Sequence, residues 1–177
     1  MNREELFIEL TDEEWALDFI DHDRRIARAI VFDGQKNLYF VRVERDDDFG
    51  RATLIETAGG GVEAGEEPDT AILRELSEEL GAEVETVAKI GIVSDYYNLI
   101  HRHNINHYYL CRILSFGEKH LTEEEAAQFH LSTLRLSYRE ALEEYQRCAC
   151  TPLGRLIANR ELPILKHAQK IMEGIEG

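Results

Sequence analysis

Cysteine is scarce in this chain: 177 residues hold three, Cys111, Cys148 and Cys150, too few for a disulfide framework. That usage fits a reducing cytoplasm. Long apolar runs are missing as well. No stretch approaches the ~20 residues that span a bilayer, and Met1-Asn2-Arg3-Glu4-Glu5 lacks the basic-then-apolar order of a secretory leader. Basic residues are few, with 20 Lys and Arg against 35 Asp and Glu, a net charge of −15. A nucleic-acid groove binder needs a basic face to replace counterions, and an anionic membrane surface needs the same, so the expected partners include neither. Repeats, low-complexity tracts and linkers are also absent.

The composition is that of a foldable globular chain, 44% hydrophobic and 31% charged. Its length predicts one domain over 1–177, with an acidic N-terminal edge segment (1–24) and a C-terminal helical segment (150–177). The acids are unevenly placed. Met1–Asp23 carries nine with only Arg3 to offset them, and Gly61–Glu85 carries nine more with only Arg74. The first run reads as a solvated face that aids solubility.

The patterning predicts a mixed α/β chain. Leu6–Ile20 reads as an edge strand and turn packed on the body, and Arg25–Phe32 as a strand. Asp33-Gly34 signals a hairpin returning over Leu38–Val43. An exposed loop at Asp46-Asp47-Asp48 precedes a short strand, Thr53–Thr57, that runs into Gly59-Gly60-Gly61. Pro68 suits a first helical position; Ala71, Ile72, Leu73, Leu76 and Leu80 form an apolar face, and Gly81 ends the helix. Strands come next over Val84–Val93, Ile105–Ile113 and Phe129–Leu136. Ser137 then caps a helix to Arg147 with Glu140 at the capping-box position, and Leu162–Met172 reads as a last helix. Two helices flanking a mixed sheet predict a sandwich.

The predicted helix over 68–80 carries the chemistry. Glu75, Glu78 and Glu79 stand three and four residues apart, so their carboxylates share a face opposite Leu76 and Leu80. Such carboxylates repel, and Arg74 is the only base nearby. Hard oxygen ligands of this kind suit Mg²⁺, Mn²⁺ or Ca²⁺, and the glycine turn lets backbone approach a ligand closely.

The run from Gly60 through Glu66, Arg74, Glu75, Leu76, Glu78, Glu79 and Gly81 to Ala82 resembles the Nudix box, G-x5-E-x7-R-E-U-x-E-E-x-G-U with U a bulky aliphatic. Every fixed position matches. Ala82 is smaller than the usual last residue, and Ala58 stands where the family often has proline. The resemblance implies a Nudix α/β/α sandwich, with a mixed β-sheet between helices. It also implies hydrolysis of the P–O–P bond of a nucleoside diphosphate linked to another moiety: a nucleotide sugar, ADP-ribose, a dinucleotide or a modified nucleoside triphosphate. The cofactor would be Mg²⁺ or Mn²⁺. By match to the motif, Glu78 and Glu79 would bind metal, and Glu75 would be a further ligand or the base. The Gly60 carbonyl would complete the metal set, Arg74 would orient a box glutamate, and Glu66 would be structural or hold a secondary metal. Gly81 would be structural. The alternative is a catalytically idle Nudix-like domain that senses a nucleotide metabolite, although such a domain would be expected to have lost a box acid.

Outside the box, Glu124 and Glu125 lie where the family commonly supplies a base, yet Thr122 and Glu125 also spell a capping box. Tyr96 and Tyr97 sit where some relatives place a base-stacking tyrosine, or are strand-end aromatics. The proline that ADP-ribose-type relatives often carry at a similar offset is missing. Arg102, or one of the histidines nearby, is a candidate phosphate or substrate contact. His101, His103 and His107 lack a cysteine partner at metal spacing, and strand alternation would send His103 and His107 to one face and His101 toward a loop, which disfavours zinc. Cys148-x-Cys150 has no second half. A homodimer through the apolar part of the N-terminal segment is a further expectation.

Overall fold

The computed structural model describes residues 4–117 and 132–175. In chain order these form β1 (Leu6–Glu9), β2 (His22–Phe32), β3 (Leu38–Asp47), β4 (Gly50–Glu56), β5 (Ala58–Gly61) and α1 (Pro68–Leu80). Next come β6 (Ala82–Tyr97), a single 3₁₀ turn at Asn98–Ile100, β7 (Arg102–Phe116), β8 (Ser132–Leu136), α2 (Tyr138–Cys148) and α3 (Pro152–Glu173). The strands make one mixed sheet in the order β1-β6-β7-β2-β3-β4, with β5 added on β2 and β8 on β3. β1 runs parallel to β6 and β2 parallel to β7; the remaining pairs are antiparallel. This is the α/β architecture with a mixed sheet that the patterning predicts.

Period-two alternation sends side chains to two cores. Along β2, Ala29 and Val31 face α1 with Ile72, Leu76 and Leu80, while Ile30 and Phe32 face α2 and α3. Along β7, Tyr109 and Cys111 join the first core and Tyr108 and Leu110 the second. The sheet is therefore covered on both sides, by α1 on one and by two helices on the other.

Local signals set most boundaries. Gly81 adopts the left-handed conformation at φ 65° and closes α1, and Ser137 and Glu140 make the reciprocal capping box of α2. The hairpin after β2 is longer than Asp33-Gly34 alone. It spans Asp33–Asn37 with Lys36 at φ 62°, because the Asp33 carboxylate accepts from the amides of Gln35 and Asn37 and from Tyr39 Oη.

The last helix begins ten residues before the predicted Leu162, at Pro152, with Thr151 Oγ1 accepting from the Gly154 amide. Pro163 lies inside α3, where an interior proline costs about 3 kcal/mol. Burial of Leu153, Leu156, Ile157, Ile164, Leu165 and Met172 outweighs this, each side chain contributing roughly 1.5–3 kcal/mol.

The N-terminal segment is an edge strand and turn, as the sequence suggests, but its acids are not all solvated. Asp12 is 8% exposed; its carboxylate accepts from the amides of Glu14, Trp15 and Asn98. Glu14 pairs with Arg155 of α3 at 2.8 Å. Trp15 then meets Phe49, at the β3–β4 tip, edge to face at 5.3 Å. The acidic run thus braces one end of the sheet.

Candidate active site

β5 is a run of small residues, Ala58-Gly59-Gly60-Gly61, paired with Ala29–Ile26 of β2 and facing α1. Two of these positions leave no room for a Cβ as their neighbours stand. A Cβ at Gly59 would fall 2.1 Å from the Ala27 carbonyl oxygen, and one at Gly60 would fall 2.5–2.6 Å from the Glu75 carboxylate. The backbone of Gly60 is therefore the floor on which Glu75 rests. Glu79, one helical turn on, accepts the Gly59 amide at 2.8 Å. Both acids are largely covered, Glu75 at 9% exposure and Glu79 at 6%.

Arg74 organises the rest. Its Nε and Nη2 donate to the two Glu66 oxygens at 2.9 and 2.8 Å, a bidentate pair. Nη1 donates to Glu75 at 2.8 Å and to Glu78 at 3.4 Å, and Nη2 also reaches the Gly61 carbonyl at 3.1 Å. One guanidinium therefore gathers Glu66, Glu75 and Glu78 and ties them to the glycine turn. Hydrogen bonds from Arg74, then from the Glu63 amide, hold the Glu66 carboxyl at about 2, against an ordinary 4.5.

A folded-state value below the unfolded one means that Glu66 adds stability above about 4.5 and loses it as pH falls toward 2. Glu66→Gln is accordingly expected to flatten the acid limb of the stability–pH curve across that window, as measured by urea unfolding. An unaltered limb would show that Arg74 does not discriminate between the two protonation states.

The acids open onto a cleft of about 660 Å³. Arg24, Arg28, Arg45 and Arg102 also line it, as do the apolar Val41, Val43, Phe49, Tyr97 and Ile100. Arg28 pairs with Glu56 at 2.7 Å; burial alone would lower its pKa, and Glu56 raises it above the ordinary value. Arg24 and Arg102 form no ion pair among the described residues. Burial, then Arg24, Arg28 and Arg160, brings Arg102 down to about 10; burial and Arg28 lower Arg24. Crowded guanidiniums without carboxylate partners favour an incoming anion.

Adjoining the cleft is a buried polar network that the sequence does not announce. Arg160 is 0% exposed, donating to Tyr108 Oη (2.9 Å), Tyr97 Oη (2.7 Å), Asp95 (3.2 Å) and Glu56 (3.0 Å). Its neighbour Glu161 is equally buried. The available signal was a charged pair inside an otherwise apolar helical stretch.

The predicted site residues divide clearly. Gly60, Arg74, Glu75, Glu78, Glu79, Tyr97 and Arg102 line the cleft, with Arg102 stacked over the Tyr97 ring at 5.2 Å. Glu66 touches it through Arg74, and Gly81 caps α1 beyond it. Tyr96 points the other way, stacked on His103 at 4.7 Å in a separate cavity of about 510 Å³. Glu124 and Glu125 lie outside the described residues, as do the first three residues of the predicted Phe129–Leu136 strand; the rest of it is β8, Ser132–Leu136. The three histidines are dispersed. His101 meets the Phe19 carbonyl and His103 meets Ser94 and Asp23, while His107, on β7, is lowered by burial, Arg25 and Lys89. Among the described residues no three His, Cys, Asp or Glu side chains already surround one point.

The box nevertheless fits a hard divalent ion. Its donors are carboxylate oxygens on one helical face, and one of them, Glu75, packs against the Gly60 backbone where a Cβ would collide with it.

A family model described as NUDIX domain matches residues 22–148. Among solved structures, a NUDIX hydrolase from Nitrosomonas europaea is similar at 17% identity and TM-score 0.60, covering 80% of this chain and 89% of that one. An ADP compounds hydrolase (15% identity, TM-score 0.58) covers 85% of this chain and 74% of that one. A UDP-X diphosphatase (15% identity, TM-score 0.55) covers 89% and 66%. No curated protein matches the sequence.

Proposed function

The chain belongs to the Nudix family and is a pyrophosphohydrolase; on that premise we propose that it cleaves the P–O–P bond of a small nucleoside diphosphate derivative with Mg²⁺ or Mn²⁺. The observation that carries this reading is the gathering, in one cleft, of the box carboxylates Glu75, Glu78 and Glu79 with Arg24, Arg28, Arg45 and Arg102.

Glu75, Glu78 and Glu79, with the Gly60 carbonyl, would hold the ion, which when bound supplies charge neutralisation, phosphoryl polarisation and a more acidic water. The protein's own groups do the rest. Arg24, Arg28 and Arg102 offset the charge of the diphosphate and fix its position before reaction. Arg74 keeps Glu75 and Glu78 turned toward the cleft. The Gly59 amide fixes one oxygen of Glu79. Phe49, backed by Trp15 and Tyr97, offers an aromatic edge at the far end, suited to the part of the substrate beyond the phosphates. The neighbours named for ADP compounds and UDP-X support nucleoside diphosphates as the class to try first.

The test is a hydrolysis screen over nucleotide sugars, ADP-ribose, dinucleoside polyphosphates and modified nucleoside triphosphates, with Mg²⁺, with Mn²⁺ and with chelator. Turnover of at least one compound, abolished by chelator, is expected. Tight binding of a compound without turnover would instead make the chain an idle sensor.

A further inference from the structure

We propose that Glu161, on α3, is a positioning residue that holds the glycine turn in register beneath Glu75 and Glu79 by gripping Thr57. This rests on the reading of those two acids as the metal-holding carboxylates. α3 lies entirely beyond the residues matched by the family model, which end at 148. Yet its Arg160 and Glu161 hold Glu56 and Thr57, the two residues that lead into β5.

The bonding of Glu161 is complete. One oxygen accepts the Thr57 amide at 2.8 Å and Tyr145 Oη at 2.9 Å; the other accepts the Thr57 hydroxyl and Tyr108 Oη at 2.7 Å. A carboxylate is costly to bury unless its lone pairs are satisfied, and here four donors satisfy them. Two of those donors belong to one residue, Thr57, which is itself fully buried.

The four residues after Thr57 need such an anchor. Ala58-Gly59-Gly60-Gly61 has no side chain larger than a methyl group, and glycine is the residue with the most backbone freedom to lose. Pairing with β2 borders the run on one side. Its exit is tied by Arg74 to the Gly61 carbonyl, and its middle by Glu79 to the Gly59 amide. At the entry Glu161 holds the Thr57 amide and hydroxyl, while Arg28 Nη1 donates to the Thr57 carbonyl at 3.2 Å. If Thr57 shifts, Gly60 shifts with it, and the Glu75 carboxylate loses the floor against which it packs. Glu161 does not line the cleft, whereas Thr57 does, so Glu161 acts on the site through Thr57.

The experiment measures Mn²⁺ affinity by electron paramagnetic resonance, alongside thermal unfolding, and needs no substrate. Partners that orient ligands typically change metal affinity by about 10–100-fold when altered, so Glu161→Gln is expected to weaken Mn²⁺ binding in that range. Thr57→Val, which removes only the hydroxyl bond, should weaken it by less, and Thr57→Ser, which keeps that bond, should restore it. Tyr145→Phe also removes one bond to Glu161 but leaves Thr57 untouched. It should lower the unfolding temperature and leave Mn²⁺ affinity unchanged. If Tyr145→Phe weakens Mn²⁺ as much as Thr57→Val does, or if neither Thr57→Val nor Glu161→Gln weakens it, Glu161 is only a core-stabilising group. Should Glu161→Gln fail to fold, the Thr57 and Tyr145 variants carry the comparison alone. A wild-type protein that binds no Mn²⁺ would overturn the metal reading itself, a separate outcome.

Discussion

Glu79→Gln is expected to lower kcat/KM by about a thousandfold and to weaken Mn²⁺ binding while leaving the fold intact. Glu79 presents one oxygen to the Gly59 amide at 2.8 Å and is 6% exposed. Glutamine is nearly isosteric and can offer its carbonyl oxygen to the same amide, so the helix and turn keep their contact. The loss is one negative charge where a divalent ion must be held. Metal stabilisation of developing phosphoryl charge is worth several kcal/mol, and each ~1.4 kcal/mol is a factor of ten, so the rate should drop by about three decades. Glu85→Gln is the matched control: Glu85 lies on β6, exposed and paired with Arg112 across the sheet, and its loss should leave the rate unchanged. Steady-state kinetics of the two variants on a compound found by the screen decide the matter. Activity of Glu79→Gln within tenfold of wild type would remove Glu79 from the metal set.

The second large effect is on stability. Arg160→Leu is expected to destabilise the protein by about 3–5 kcal/mol, the usual cost of removing one partner from a buried ionic group. Arg160 is wholly buried and compensates Asp95, and it shares Glu56 with Arg28. Leucine fills part of the volume but leaves Asp95 without its cation and two tyrosine hydroxyls without a donor. At about 2–4 °C per kcal/mol for a chain of this size, the melting temperature should fall by about 6–20 °C.

The pH dependence has a definite sign. Burial alone would raise Glu56, but Arg28 and Arg160 hold it below the ordinary range. Its contribution is thus present above the unfolded carboxylate pKa and lost below it. Removing Arg160 takes away part of that term, so the gap between variant and wild type should narrow as pH falls. Arg139→Ala is the contrast: Arg139 is almost fully exposed beside Glu143, and such pairs are worth about 0–1 kcal/mol. If both variants melt alike, the network is not coupled to folding.

The parts of the site that are local in sequence were legible, and the parts assembled from afar were not. Arg74, Glu75, Glu78 and Glu79 lie within two turns of one helix, so spacing alone puts them together. The glycine run and the Gly81 stop belong to the same short stretch. Arg24 and Arg28 sit on β2, Glu56 on β4, and Arg160 and Glu161 on α3, with 104 residues between Thr57 and its clamp. Nothing periodic links such positions; only the sheet order brings them to one cleft. Tyr96 and Tyr97 looked equivalent as a dipeptide, but strand alternation sends them to different cavities. Asp12 read as one more solvated acid, although its carboxylate and backbone together fasten Asn98. The last helix read as starting at Leu162; packing instead carries α3 from Pro152 straight through Pro163.

Arg74 is a counter-ion that cannot diffuse away. Because it holds Glu66, Glu75 and Glu78 by covalently tethered charge, the carboxylate cluster is neutralised in part whether or not a dissolved cation is at hand. Chelation should therefore silence the protein without unfolding it, unlike small domains whose metal is their core. On the proposed ligand set, a divalent ion would share Glu75 and Glu78 with Nη1, and activity is expected to track the free divalent-ion concentration reversibly.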